Sequence, residues 1–439
     1  MTSLLAFLFV LGVLVFVHEL GHFVVARRLG VRVLTFSLGF GPKIVNAKRG
    51  DTEYCISAIP LGGYVKMAGE SLGEARTGGD DEFMSKTKWE RFLILIAGPA
   101  MNLILAVLVM WGVLYQGAEV PAYEQEPPVV GRVVDDSPAA RAGIRVGEQI
   151  VSVAGRAVET WDDLFVAVMP RAEREIAVVV RDTLGRERTL DVVPAARTEF
   201  EMGDLGVGPE MRPQIISVTP GDPADRAGLQ VGDLIVAIDG ADVAGGDFVD
   251  RISSSADRPL ALTIRRGDRT EQVRVTPEMQ GDRAMIGVGF SPYELQVVEP
   301  GFFEAFSMSL ERNYEWSGLI FQTLAGLLTA ETSPRQLVGP VGIAQLSGGA
   351  AQVGWVALFS LMAMISLNLG ILNLLPIPIL DGGHIFIMAM EGVSRRDFSI
   401  RVKERMLLAG FVVLMMLMVT VIYNDLTRIE WIEAFMPWR

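Results

Sequence analysis

Residues 4–26 read LLAFLFVLGVLVFVHELGHFVVA, an apolar stretch whose polar side chains are His18, Glu19 and His22. A helix crosses the hydrocarbon core of a bilayer in about 20 apolar residues, so the stretch predicts a membrane span. No Lys or Arg stands in front of it, which does not fit a secretory signal. On a helix, His18 and His22 lie one turn apart on one face, and two imidazoles so placed can reach one metal ion. Glu19 stands beside the first imidazole, where a carboxylate can take a proton from water acidified by zinc. Burying His-Glu-His in hydrocarbon without a partner is costly, so the cluster points to function. At 1.5 Å per residue, His18 lies roughly 21 Å along the span. That depth is toward its cytoplasmic side.

Half of the 439 residues are hydrophobic, which long apolar runs explain better than a soluble core does. The net charge of −13 argues against a nucleic-acid partner, because phosphate binding needs clustered Lys and Arg. Cys55 is the single cysteine, so neither an internal disulfide nor a cysteine zinc cluster can form. His18, His22 and His384 are the only histidines, and all three stand in or beside apolar sequence.

Four runs predict spans: 4–26, 92–115, 356–380 and 406–423. The loop over 27–91 and the short loop over 386–405 are rich in Lys and Arg, and positive loops stay in the cytoplasm. Both termini and the long middle region then lie outside, with membrane lipid around the spans. Residues 302–328 place apolar side chains on one helical face but carry Glu304, Glu311, Arg312 and Glu315, which reads as an interfacial amphipathic helix.

The middle region repeats itself. Residues 137–158 read SPAARAGIRVGEQIVSVAGRAV and residues 222–243 read DPADRAGLQVGDLIVAIDGADV, which predicts two related domains. The glycines suit helix caps and tight turns. Both copies resemble the PDZ domain, the first departing from its pattern at Glu148 and Ala154. PDZ modules bind extended peptides by adding a strand to a sheet edge; the copies could equally be spacers or size filters.

A catalytic zinc takes three protein ligands. The remaining ligand should come from residues 373–384, NLLPIPILDGGH, where two prolines and two glycines at the end of an apolar run mark unwound backbone lining a cavity. On chemistry, both the Asp381 carboxylate and the His384 imidazole qualify.

The H-E-L-G-H motif, the N-x-x-P-x-P-x-L-D-G-G motif and the four-span layout together resemble the site-2 protease family of intramembrane zinc metalloproteases (peptidase M50 type), over nearly the whole chain. The resemblance implies one Zn2+ held by His18, His22 and Asp381, with Glu19 as general base and His384 as a supporting residue. It implies that Asn373 bonds the unwound substrate backbone and that Pro376 and Pro378 shape the groove. Residues 44–57 read as a hairpin turning at 49–51, and Gly62, Gly63, Tyr64 and Val65 follow. In the family this is a β-rich loop re-entering the membrane, whose edge can pair with substrate. Asn102, in the stretch AGPAMN over 97–102, matches the family's G-P-x-x-N and serves as an accessory or as helix glue.

The expected architecture is a polytopic α-helical membrane protein with four transmembrane helices, a membrane-associated β-hairpin region and two extracytoplasmic PDZ (α+β) domains. The segments run 1–26, 27–91, 92–116, 125–205 (first PDZ), 210–290 (second PDZ), 291–352, 353–385, 386–405, 406–424 and a tail over 425–439. The resemblance places the protein in a bacterial inner membrane, with both termini and the PDZ domains periplasmic. Its expected substrates are single-span membrane proteins of the anti-sigma-factor kind, pre-trimmed outside the membrane, and signal-peptide remnants.

Overall fold

The computed structural model describes residues 2–70, 78–197, 201–243, 247–281, 283–329 and 332–427. These fall into two units. One holds the chain up to Ala118, Glu299–Leu328 and the chain from Pro334 onward; the other holds Glu119–Val298 with Thr329–Ser333. The expected tail lies outside the described residues from 428 onward.

The first unit opens with helix α1, Thr2–Arg28. A β-region follows, made of β1 (Val33–Arg49) and β2 (Thr52–Met67), long strands that fold on each other. Residues 43–49 pair with 52–57 across the predicted turn, while residues 35–38 pair with 53–56 on one side and with 63–66 on the other. The pairing leaves 63–66 on an outer edge. Its inner side is anchored by a core of Ala26, Val33, Phe36, Val65 and Ile94.

Helix α2 spans Lys88–Tyr115, four residues earlier than the apolar run suggests. Thr87 explains the early start: it accepts from Glu90 N, and the Glu90 side chain bonds back to the Thr87 backbone, a capping box that satisfies free N–H groups.

The second unit contains both sequence repeats. In the first, α3 (Pro138–Ala142) and α4 (Trp161–Val168) cover a sheet of residues 149–153, 156–157, 176–181 and 187–192. Its core is centred on Ile150, Trp161 and Val178. In the second, α5 (Pro223–Arg226) and α6 (Asp247–Ser253) accompany a six-stranded sheet, with Ile235, Phe248 and Leu262 inside. Gly143 and Gly228 end the first helix of each repeat at φ 81° and 82°, a conformation that glycine adopts without steric cost.

Back in the first unit, α7 (Phe302–Leu328) is the long amphipathic helix. It packs on α2 through a Ser309 hydroxyl that donates to the Val107 carbonyl at 2.8 Å. Helix α8 (Pro340–Val353) and helix α9 (Trp355–Asn373) follow, then α10 (Asp381–Ser394) and α11 (Ile400–Thr427). Helices α1, α2, α9 and α11 have the length and hydropathy to cross a membrane. The third span is shorter than expected. It ends at Asn373 because Pro376 and Pro378 cannot continue a helix, and Asp381 opens a new helix instead of closing the old one.

The C-terminal end of α11 is fastened to the start of α8. Asp425, 1% exposed, accepts from the backbone N–H groups of Gly339, Val341 and Gly342 at 3.0 Å. A carboxylate there satisfies donors that the helix leaves free and complements its dipole.

Candidate metal centre

Helix α1 presents His18 and His22 on one face, and the first residue of α10 brings Asp381 to them. His18 Nε2 lies 3.3 Å from His22 Nε2 and 3.3 Å from Asp381 Oδ2, and His22 Nε2 lies 3.4 Å from the same oxygen. Zinc binds nitrogen and oxygen at about 2.0–2.1 Å with tetrahedral geometry, which puts neighbouring ligand atoms about 3.3–3.4 Å apart. All three edges meet that requirement, so the residues fit the ion. Among the described residues no other group of three His, Cys, Asp or Glu comes together this way.

Sequence explains how the ligands are held. In α2, Gly98 faces His22, and a side chain there would overlap the imidazole. Gly21 of α1 likewise faces the Ala97 carbonyl. These glycines let two spans approach at backbone distance. His22 Nδ1 lies 2.7 Å from the Ile94 carbonyl. That carbonyl accepts the Nδ1–H and leaves Nε2 free for a metal. Pro99 follows in the same helix and has no N–H to offer the Leu95 carbonyl four residues earlier, which loosens the ladder beside the site. The Gly-Gly after Asp381 has a similar cause. Side chains at Gly382 and Gly383 would overlap the carbonyls of Leu374 and Ile377, where the loop from α9 folds back over the start of α10.

Glu19 is 9% exposed and His22 is 7% exposed. The edge strand runs directly past Glu19: a Cβ on Gly63 would come within 3.0 Å of Glu19 Cγ and 2.8 Å of Val15 Cγ1. Only glycine lets that backbone lie so close. Next to it, Tyr64 stacks on Phe40 with ring centroids 6.1 Å apart, and Gly62 makes room for the Phe40 ring. Val65 turns its side chain into the core, so only its backbone is offered to the edge.

Asn373 ends α9 half-buried, and no described residue bonds its amide. Pro376 is exposed, and Pro378 packs against Gly410 of α11. His384 lies one turn beyond Asp381, outside the ligand triangle. It lines a cavity of about 420 Å3 together with Asp381, Glu70, Arg91 and Lys403. Asn102 is 1% exposed, and its amide lies 3.3 Å from His18 Nδ1. Neither the Ile94 carbonyl nor the approach of Gly63 to Glu19 is among the sequence expectations. Backbone atoms carry no residue signature.

The model of peptidase family M50 matches residues 6–417. The regulator of sigma-E protease RseP of Escherichia coli is 35% identical over 97% of this chain and 99% of its own length. Protease RseP of Yersinia pestis is 34% identical over 97% of this chain and 99% of its own. A Neisseria meningitidis relative, provisionally named a zinc metalloprotease, is 34% identical over 98% of this chain and all of its own. Among solved structures, the PDZ domain of an SdrC-like protein from Listeria monocytogenes aligns with 19% of this chain and 90% of its own, at 26% identity and a TM-score of 0.18.

Proposed function

Because the chain belongs to peptidase family M50, we propose that it hydrolyses peptide bonds inside the transmembrane segments of single-span membrane proteins, with Glu19 as general base and His18, His22 and Asp381 as zinc ligands. It is a zinc metalloprotease of the membrane. The single observation that carries the residue assignment is the triangle of ligand atoms, 3.3–3.4 Å on each edge, between the membrane-length helix α1 and the first residue of α10.

When bound, zinc supplies Lewis acidity toward a carbonyl oxygen and toward water. The remaining work falls to the chain's own side chains. Glu19, adjacent to His18 and shielded from bulk solvent, takes the proton of the attacking water and later delivers it to the leaving amine. Gly63 permits an extended substrate to lie against Glu19, paired along the outer edge of residues 63–66. The unbonded Asn373 amide is suited to hold the other side of that unwound backbone. Pro376 and Pro378 keep the α9–α10 loop from re-forming helix across the groove.

The substrate reading goes further along the same line. The two repeats are PDZ domains outside the membrane, and they admit substrates whose bulky outer portion is already removed. The relatives named for sigma-E regulation support a pre-trimmed anti-sigma factor as the main substrate, with signal-peptide remnants as a second class. The orientation, with both termini and the repeats periplasmic in an inner membrane, rests on the positive loops.

The test is Glu19→Gln in the purified full chain, with a single-span reporter. Zinc content is expected to match the wild type, while cleavage drops by about 10²–10⁴-fold, the usual range for a general base. Zinc-loaded variant that still cuts at the wild-type rate removes Glu19 from that role.

A further inference from the structure

We infer that Asn102 is a positioning residue of the metal centre: its side-chain oxygen accepts the Nδ1–H of His18 and so leaves the His18 Nε2 lone pair free for the metal. The inference rests on the proposed zinc site and adds to it a residue from α2.

The two imidazoles are treated differently by their surroundings. Nε2 of each faces the ligand triangle. An imidazole can ligate through Nε2 only when its proton sits on Nδ1, and that proton needs an acceptor. For His22 the acceptor is the Ile94 carbonyl at 2.7 Å. For His18, the amide of Asn102 is the group at Nδ1, 3.3 Å away. As placed, the amide turns its NH2 toward the ring, and its buried Oδ1 has no hydrogen-bond partner. A half-turn of the amide exchanges two atoms of nearly equal size. The half-turn changes which amide atom lacks a partner, but it gives the imidazole the acceptor that ligation requires.

The placement follows from helix geometry. Helices α1 and α2 pack closely, and residues four apart share a face on each. Gly98 meets His22 and Asn102 meets His18, so the four-residue spacing of the ligands is matched by a four-residue spacing in α2. The small residue makes room for one ring while the amide bonds the other. Asn102 is itself fixed from behind: the Ser366 hydroxyl of α9 donates to its backbone carbonyl at 2.8 Å. A residue that served only as helix glue would have no reason to direct its amide at a ring nitrogen while that backbone bond already joins α2 to α9.

Two measurements test this on the full-length protein in detergent or lipid. The chain has only three histidines, so 15N-histidine labelling resolves each ring in the zinc-loaded wild type. The expected spectrum has His18 protonated at Nδ1; a His18 that is bare at Nδ1 overturns the inference, whatever the variants do. Competition against a chelator then measures zinc affinity. Asn102→Leu removes the acceptor and is expected to weaken zinc by about 10–100-fold, the usual effect of losing such a partner. Asn102→Asp keeps an acceptor and is expected to retain most of the affinity. A Leu variant that folds and binds zinc as tightly as wild type overturns the role of Asn102 alone, whereas a wild type that binds no zinc overturns the site on which it rests.

Discussion

Asp381 and Asp233 are both carboxylates set close to side-chain nitrogen, yet their surroundings differ in kind. Asp233, fully buried, receives the Arg266 guanidinium at 2.6 and 2.7 Å and the Gln230 backbone N–H at 2.8 Å. The charge is matched, and the distances are those of strong charge-assisted bonds. The Asp233 carboxylate in turn raises the pKa of Arg266, which stays protonated. Asp381 offers a single oxygen to two imidazole nitrogens at 3.3 and 3.4 Å. Those contacts are too long for good charged hydrogen bonds and the right length for the edge of a metal tetrahedron. A carboxylate saturated by donors holds a fold together, and one left at tetrahedral spacing from other ligands is available for chemistry.

The most severe test of that contrast is Asp381→Ala. It removes one of the three proposed zinc ligands and leaves two imidazoles. We expect zinc to be lost and reporter cleavage to fall to background, a larger effect than any substitution outside the ligand set should produce. The helical unit should stay folded, because its cores lie apart from Asp381. Metal analysis, cleavage and detergent-phase unfolding of one preparation check all three. Retained zinc and activity would transfer the ligand role to His384, which shares the cavity with Asp381.

Asp233→Ala should do the reverse. It strands the Arg266 guanidinium and one backbone donor, at a cost of about 2–3 kcal/mol, below the usual figure for a buried pair because Arg266 is 30% exposed. Faster amide exchange over residues 234–238 of the full chain would report it, with zinc content unchanged. The first repeat supplies an internal control. There Glu148 meets Arg188 at 2.8 Å and the Arg145 N–H at 2.9 Å, but Arg188 is 40% exposed, so Glu148→Ala should cost only about 1 kcal/mol. Loss of zinc from the Asp233 variant would show that the two kinds of carboxylate are not separable.

The parts legible in the sequence are those that side-chain chemistry writes at fixed spacing. His18, Glu19 and His22 follow from one helical turn, the spans from apolar length, and the repeats from self-similarity. Asp381 is separable from His384 only by family resemblance, because both are ligand types three residues apart on either side of two glycines. The structure supplies the reason for that spacing: Gly382 and Gly383 accommodate a loop, and the helix that begins at Asp381 carries His384 away from the triangle. The Ile94 carbonyl, the Asp425 cap on α8 and the close approach of Gly63 to Glu19 could not be read. Each depends on a backbone atom meeting a side chain distant in the chain, and a sequence records no such meeting.

The repeats also differ at one turn, and that difference sets the smallest of the expected effects. Ala154 and Asp239 occupy equivalent positions, both left-handed, at φ 50° and 52°. Each donates its backbone N–H across to the next strand, to Ala177 and Ala261 respectively, at 2.8 Å. Asp239 then receives a bond in return, from the Ala261 N–H at 2.9 Å, and Asp tolerates this conformation through such local bonding. Ala154 has the strain without the compensation. Ala154→Asp should therefore stabilise the first repeat by about 1 kcal/mol, and Asp239→Ala should destabilise the second by a similar amount. Amide exchange over residues 149–153 and 234–238 separates the two effects within one chain. If Ala154→Asp leaves exchange in the first repeat unchanged, the returned bond is not what distinguishes the turns, and the repeats differ only in side-chain identity there.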